Sequence, residues 1–335
     1  MAETSFEAPP VRRRPTVDVA AVAPFAALVG LLVLGGLVNP SFFGLDNLTN
    51  VLTRSAFIAI IGVGATFVIA AGGLDLSVGS MAAFVASIMI LFLNAGYGGG
   101  GVWTIAAGMV VALFVGMACG FGNGLVTTLG RIEPFIVTLG TMGIFRGLTV
   151  WLAAGGSIAI RSQSLRGEYR PVYFGTVAGV PMPVLVIAAA AFLGAFALRR
   201  TAFGRHVEAV GSNEEVARYS GIRVGAVRTA TYAIQGLCVA VAVLVYVPRL
   251  GAATATTGLL WELQAITAVV IGGTALRGGI GRVWGTVCGA VILEVVGNIM
   301  VLSSFVSEYL IAAVQGAIII LAMLLQRTLL RRQGT

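Results

Sequence analysis

The sequence predicts an all-α membrane protein, a polytopic bundle of about ten transmembrane helices. Of its 335 residues 58% are hydrophobic and only 10% are charged, and the mean hydropathy is +0.99. A water-soluble domain carries roughly a quarter of its residues as charges. About 20 apolar residues in a helix cross the hydrocarbon with every backbone hydrogen bond made internally. Unbroken apolar runs such as 102–121 exclude the alternating pattern of a transmembrane β-barrel.

The apolar runs define ten candidate spans between two polar tails, 1–18 and 327–335. The first run is longer than the apolar part of a signal peptide, and no small-x-small cleavage site follows it, so we interpret it as an uncleaved span. The single membrane domain covers 19–326. Its spans are expected at 19–38, 51–71, 78–95, 102–122, 135–154, 183–198, 227–247, 259–275, 284–302 and 308–325.

Glycine-rich interruptions at Gly72–Gly79 and Gly272–Gly285 predict broken or re-entrant helices at these points. Eight to eleven crossings are therefore compatible with the sequence. If spans two to five and seven to ten are repeats, the odd offset between them makes the repeats inverted, as in many alternating-access proteins.

The distribution of arginine predicts the orientation, because short cytoplasmic loops retain positive charge. With ten spans and a cytoplasmic N-terminus, fifteen of the 21 arginines fall inside and five outside, while Arg146 lies within a span. Both termini are therefore expected in the cytoplasm of a bacterial inner membrane. Two long connections follow from this topology, an external loop at about 155–181 and a cytoplasmic loop at about 199–228.

The first informative motif is GGLDLSVGS, Gly72–Ser80, which places Asp75 and Ser77 in a break between apolar runs. A carboxylate at membrane depth is costly and marks a cavity, a pathway or a specific partner. Alternatively, Asp75 caps the following helix through nearby N–H groups. Both interpretations stand at this stage.

A second stretch, Gly122–Gly147, contributes Asn123, Thr138 and Thr141 as neutral hydrogen-bonding groups. Such groups suit a polar uncharged solute better than an ion, but helix-to-helix hydrogen bonding is an equally good interpretation. A further stretch, Gly258–Leu293, adds Glu262, which the predicted topology places near an outer end. Together with Asp75 and Ser77, these residues form the candidate translocation pathway.

The predicted cytoplasmic loop contains RRTAFGRHVEAVGSNEEVARYSGIRV, Arg199–Val224. Ser212–Glu215 has the pattern of a capped helix start and Gly221 that of a helix stop. Such a loop either docks a partner or forms a solvated face that also enforces topology. No metal centre or cofactor is expected, because the three cysteines are far apart and His206 is the one histidine. Nucleic-acid binding is not expected, because most arginines lie between spans.

These four stretches, in order and spacing, resemble the permease subunits of ribose-type ABC importers, along nearly the whole chain. The sequence departs from the family pattern at Leu74, Glu133, Val216 and Arg282. The resemblance implies that the loop is the segment whose helix docks on an ATPase. The residues assigned to it are Gly204, Arg205, Glu208, Gly211, Asn213, Glu214, Glu215, Ala217, Gly221 and Ile222.

The resemblance also implies the partners, namely an ABC ATPase subunit, an external sugar-binding protein, a second permease copy and the lipid bilayer. The chain contains no lysine and so no ATP-binding P-loop, which requires one. Energy must come from another subunit or from an ion gradient. An ion-coupled carrier of small polar solutes is thus the alternative, while an intramembrane enzyme lacks the histidine it would need. Ribose, another aldose, a polyol and a signalling furanone all remain candidate substrates.

Overall fold

A computed structural model describes residues 19–96, 101–303 and six scattered positions between 310 and 320. Seven helices in this part of the chain are long and apolar enough to cross a membrane. They are α1 (Val19–Val38), α2 (Leu45–Ala70), α4 (Gly101–Gly130), α5 (Pro134–Leu152), α8 (Met182–Arg200), α11 (Val224–Leu250) and α13 (Val283–Ser303), with the shorter apolar helices α3 (Val78–Asn94) and α12 (Trp261–Ile271) between them.

Short elements fill the connections. A 3-10 helix, Pro40–Phe43, follows α1. The predicted external loop contains β1 (Ser157–Ala159), α6 (Gln163–Tyr169), α7 (Pro171–Phe174), β2 (Thr176–Val177) and β3 (Val180–Pro181). The predicted cytoplasmic loop contains α9 (Ala202–Ser212) and α10 (Glu214–Tyr219), and β4 (Ala252–Thr254) follows α11. Strand β4 pairs with β1 and β2 pairs with β3, both antiparallel.

The expected helical, polytopic bundle is confirmed, but the number of crossings is not fixed at ten. Nine predicted spans correspond to helices, whereas 308–325 lies largely outside the described residues. The span expected at 259–275 differs most, since α12 has 11 residues and extends only about 16 Å at 1.5 Å per residue. The bundle is therefore interrupted on both sides of α12, at 251–260 before it and at the predicted glycine-rich segment after it.

Helix α2 lies at the centre of the bundle, and nearly all of its residues from Ala56 onward are buried. It packs on α13, where the hydroxyls of Thr66 and Thr286 are 2.8 Å apart. In the same way α11 packs on α4, through Gly116 and Gly120 against Gly236. Small residues allow such close backbone approach in membrane helices.

The contacts between the described helices follow the repeat pattern expected from the sequence. The contact of α4 with α11 corresponds to that of α13 with α2, and α3 packs on α4 as α12 packs on α13. The repeats would therefore pair α2 with α11, α3 with α12 and α4 with α13. A partner for α5 would have to come from the tenth predicted span, which lies outside the described residues.

The two shorter helices meet at their first turns. Gly79 at the start of α3 lies in backbone contact with Gly258, just before α12, and a methyl group on either would overlap the carbonyl oxygen of the other. Gly258 (φ 69°) and Leu260 (φ 65°) are left-handed, which lets the chain reverse into α12. The first turns of both helices thus lie inside the bundle.

The α4–α11 contact supplies a test of the packing. A Cβ at Gly120 would overlap the Tyr232 carbonyl, whereas a Cβ at Gly122 would meet no heavy atom within 4 Å. We expect Gly120→Ala to lower the free energy of unfolding by about 1–3 kcal/mol because it overpacks the interface. Gly122→Ala should leave the melting temperature of the purified protein unchanged. Equal melting temperatures for the two variants would contradict this packing.

Candidate functional site

A buried polar cluster occupies the break between α2 and α3. Asp75 Oδ1 accepts hydrogen bonds from the Ser77 backbone N–H at 2.8 Å and from its hydroxyl at 2.6 Å. The Asn123 amide of α4 donates to the Ser77 hydroxyl oxygen at 2.9 Å. All three side chains are buried. Asp75 therefore shapes the turn that leads into α3, and α4 fixes that turn in place.

Two further helices form hydrogen bonds to the backbone of the same break. The Leu74 carbonyl accepts a hydrogen bond from the Tyr232 hydroxyl of α11 at 3.0 Å and a longer one from Thr138 of α5 at 3.4 Å. Thr138 shares its single hydroxyl proton with the nearer Pro134 carbonyl, one turn earlier, at 2.9 Å. Thr141 donates only to the Thr138 carbonyl among the described residues, so the structure does not bring it into the cluster.

Three buried oxygen atoms around the cluster have no hydrogen-bond partner within the described residues. They are Asp75 Oδ2, Asn123 Oδ1 and the hydroxyl of Thr127, one turn further along α4. A buried polar atom without a partner costs about 1–3 kcal/mol. The cluster thus has unused capacity to accept hydrogen bonds, as a polyhydroxyl solute or an ordered water would require.

A second polar site surrounds the first turn of α12. The Arg146 guanidinium, on α5, donates to the carbonyls of Ala255 and, at 2.8 Å, Thr257. Arg146 and Glu262 lie close enough to attract each other, and the Glu262 carboxylate lies beside Gly79. Glu262 therefore lies in the bundle where α3 and α12 meet.

Sequence reasoning did not include Arg146 in the candidate site, although it placed this residue within a span. The sequence did contain a signal, because an arginine at membrane depth costs free energy and therefore marks a candidate functional residue. Its partners, about 110 positions along the chain, could not be read from the sequence. The structure therefore divides the predicted pathway residues into a cluster of Asp75, Ser77, Asn123 and Thr138 and a separate site at Glu262.

The α9–α10 loop packs on two interruptions of the bundle, the one that follows α2 and the one that follows α12. Gly211 of α9 lies against the Ala70 carbonyl at the end of α2 and against Gly279 in the α12–α13 connection. The Gly279 N–H donates to that carbonyl at 2.9 Å, and the Gly281 N–H approaches the Glu208 carboxylate at 3.4 Å. No side chain fits at Gly211, so α9 contacts the two segments directly through its backbone.

The ends of α9 and α10 are well defined. The Thr201 hydroxyl accepts a hydrogen bond from the N–H of Gly204, and the Asn213 side chain accepts one from Val216. Gly221 is left-handed at φ 80°, and the Ile222 N–H returns to the Ala217 carbonyl, as in a Schellman end. Val207, Val210 and Ala217 are buried against the bundle. The loop is thus a folded element rather than a flexible connection.

The outward surface of α10 combines charged and apolar groups. Glu214 pairs with Arg218 at 2.6 Å and with Arg228 of α11 at 2.7 Å, whereas Glu215, like Arg205 on α9, is exposed. Val216 is 58% exposed and Tyr219 90% exposed. Tyr219 is not among the residues predicted from the sequence, and Val216 enters there only as a departure from a family pattern. Their three-residue spacing, which places both on one helix face, was the missed signal.

Apolar spans, interrupted helices with polar first turns and a folded loop against both interruptions define a membrane transport protein of the permease class. Over residues 47–323 the chain matches the family described as branched-chain amino acid transport system / permease component. The chain belongs to this family, and it is a transport subunit of an importer rather than an enzyme.

The relatives of this chain are matched along most of their length. The chain is 35% identical over 300 residues to the ribose import permease protein RbsC of Haemophilus influenzae, covering 90% of this chain and 91% of that protein. It is 37% identical to RbsC of Bacillus subtilis over 91% of this chain and 92% of that protein. It is 34% identical to the autoinducer 2 import system permease protein LsrC of Yersinia enterocolitica over 82% and 74%, respectively. No solved structure matches the chain significantly.

The Arg146 site yields a test of coupling between α5 and α12. Arg146→Gln removes the charged donor to two carbonyls and leaves Glu262 without its attractive partner. We expect a loss of about 1–3 kcal/mol in the free energy of unfolding. Adding Glu262→Gln should recover part of this loss, because the unpaired charge is removed. Strictly additive changes in a denaturation experiment would show that the two residues do not interact.

Proposed function

We propose that this chain forms the translocation pathway for ribose or a closely related small polar solute, in an importer driven by a separate ATPase. An external substrate-binding protein delivers the solute. The chain lies in the bacterial inner membrane with both termini in the cytoplasm. The observation that carries the proposal is the packing of one folded loop, α9–α10, against both interruptions of the bundle.

The substrate class is supported by the relatives and by the polar groups of the bundle. The ribose permease relatives are matched over about nine-tenths of both chains. The unpaired oxygens of Asp75 and Asn123 accept hydrogen bonds, which a solute rich in hydroxyl groups can donate. The autoinducer 2 import relatives make autoinducer 2 the second candidate, to be separated from ribose by experiment.

The coupling mechanism follows from the position of Gly211. The ATPase binds the outward surface formed by Arg205, Glu215, Val216 and Tyr219, whose exposed aromatic group is typical of an interface anchor. The inward surface of the loop contacts the end of α2 and the α12–α13 connection. A displacement of the docked loop therefore reaches both interrupted helices at once, as a rigid element rather than a flexible chain.

A second permease copy completes the pathway. The helices α4, α5 and α8 each present large exposed apolar side chains, among them Phe114, Phe135, Ile136 and Phe192. In this proposal these surfaces are divided between the lipid and the second copy. Whether the second copy is identical or a related chain is decided by the composition of the purified complex.

The docking surface can be tested with a double variant, Val216→Ser with Tyr219→Ser. We expect co-purification of the ATPase to fall at least about tenfold, because a buried anchor residue contributes about 2 kcal/mol or more. The matched control is Phe174→Ser on α7, an exposed aromatic residue on the predicted external side. Undiminished co-purification of the double variant would exclude this surface as the ATPase contact.

The substrate and energy source are tested by uptake into proteoliposomes. We expect accumulation of labelled ribose only when ATP, the ATPase and the binding protein are all present. Uphill transport by the chain alone would identify an ion-coupled carrier instead. Saturable uptake of autoinducer 2 with no uptake of ribose would assign the second candidate substrate while leaving the importer mechanism intact.

A further inference from the structure

A cavity of about 710 Å³ lies where the ends of α4, α5, α10 and α11 come together. Asp75, Ser77, Asn123 and Thr138 do not line it, and its walls include no residue of the Val216 and Tyr219 docking surface. In the proposed orientation it faces the cytoplasmic leaflet of the membrane. The charged side chains in its walls are Arg131, Arg218, Arg223, Arg228, Glu133 and Glu214.

The charge of the cavity is positive. Glu214 is already paired with Arg218 and Arg228 at 2.6 and 2.7 Å. Within the described residues, Arg131 and Arg223 make no ion pair, and Glu133 is the one other acid in the walls. Two guanidinium groups are therefore available to an anion that enters the cavity, and they present the planar donor geometry that suits phosphate.

Two long helices also begin in the wall of the cavity. Helix α5 starts at Pro134 after Glu133, and α11 starts at Val224 after Arg223. Neither helix has a side-chain hydrogen bond capping its first turn. The N–H groups and the positive end of each helix dipole therefore favour an anion here.

An independent observation concerns Thr127, which also lines the cavity. Its side chain is only 5% exposed, and its hydroxyl has no hydrogen-bond partner in the described part of the chain. The buried Nε of Arg228 is unpartnered as well. Both are donors, and an anion with several acceptor oxygens satisfies them. Buried polar groups without partners are rare and point to a missing ligand.

The cavity adjoins an exposed apolar surface at the same helix ends. Leu129, Ile132, Phe135 and Ile136 are all large and exposed, and Ile132 itself lines the cavity. An inorganic anion makes no use of this surface, whereas an amphiphile places its acyl chains there. We propose that the cavity binds the headgroup phosphate of an anionic phospholipid. Basic sites between helices on the cytoplasmic side are suited to such headgroups.

The test measures retained lipid on the purified full chain. The double variant Arg131→Gln with Arg223→Gln is compared with Arg199→Gln and Arg200→Gln, two exposed arginines at the end of α8 that lie outside the cavity. After incubation with phosphatidylglycerol or phosphatidylcholine, native mass spectrometry counts bound lipids. We expect the cavity variant to retain phosphatidylglycerol roughly tenfold less than the wild type, and the α8 variant to match the wild type.

Additional variants and competing ligands distinguish a lipid headgroup from free phosphate and from an acidic segment of the ATPase. Arg131→Lys with Arg223→Lys should keep most of the phosphatidylglycerol, which also shows that the site tolerates substitution without unfolding. Equal retention of phosphatidylcholine, or equal losses in the cavity and α8 variants, would overturn the proposal. So would inorganic phosphate that displaces the lipid at the same concentration, since the site would then bind a free anion. Displacement of the lipid by the ATPase would assign the cavity to an acidic segment of that partner instead.

Discussion

The structure depends on hydrogen bonds to the free backbone groups of two interrupted helices inside an apolar bundle. Water is not available there as a hydrogen-bond donor, so the carbonyls at every break need hydrogen bonds from neighbouring helices. The Leu74 carbonyl receives them from Tyr232 and Thr138, and the turn before α12 receives them from Arg146. The helices that bracket the breaks are therefore tied to them by specific hydrogen bonds, and polar groups gather around both breaks as a result.

The same constraint links the breaks to the α9–α10 loop. The Ala70 carbonyl at the end of α2 is satisfied by the Gly279 N–H, and Gly211 lies directly against both. Because no Cβ fits at Gly211, the three backbone segments touch without an intervening side chain that could adjust. A movement of α9 must therefore shift both segments or separate from them, which is the behaviour expected of a two-position element rather than a deformable one.

The sequence predicted those features that depend on composition and local pattern. Apolar runs located nine helices, and the Asn213 and Gly221 signals located α10. The apolar run at 259–275 located α12 but not its early end at Ile271, and the pairing of β4 with β1 and the contact of Gly258 with Gly79 depend on residues far away in sequence. The role of Arg146 was missed for the same physical reason, since its partners lie far away in sequence. Thr138 and Thr141 look alike in sequence, and only packing against Leu74 separates them.

Each interruption also adjoins a cavity, and the positions of the two cavities follow the repeat pattern of the helices. Left-handed Gly72, in the first break, lines the cavity between α4 and α11. Left-handed Gly258, in the second, lines a cavity of about 350 Å³ among residues of α2, α11, α12 and α13, including Trp261. If the two halves are inverted copies, these cavities open toward opposite sides of the bundle, with the Gly79–Gly258 contact between them. The proposed headgroup cavity and the cavity beside Trp261 then occupy corresponding positions in the two halves, each next to an interruption, as a pseudo-twofold relation between the repeats requires.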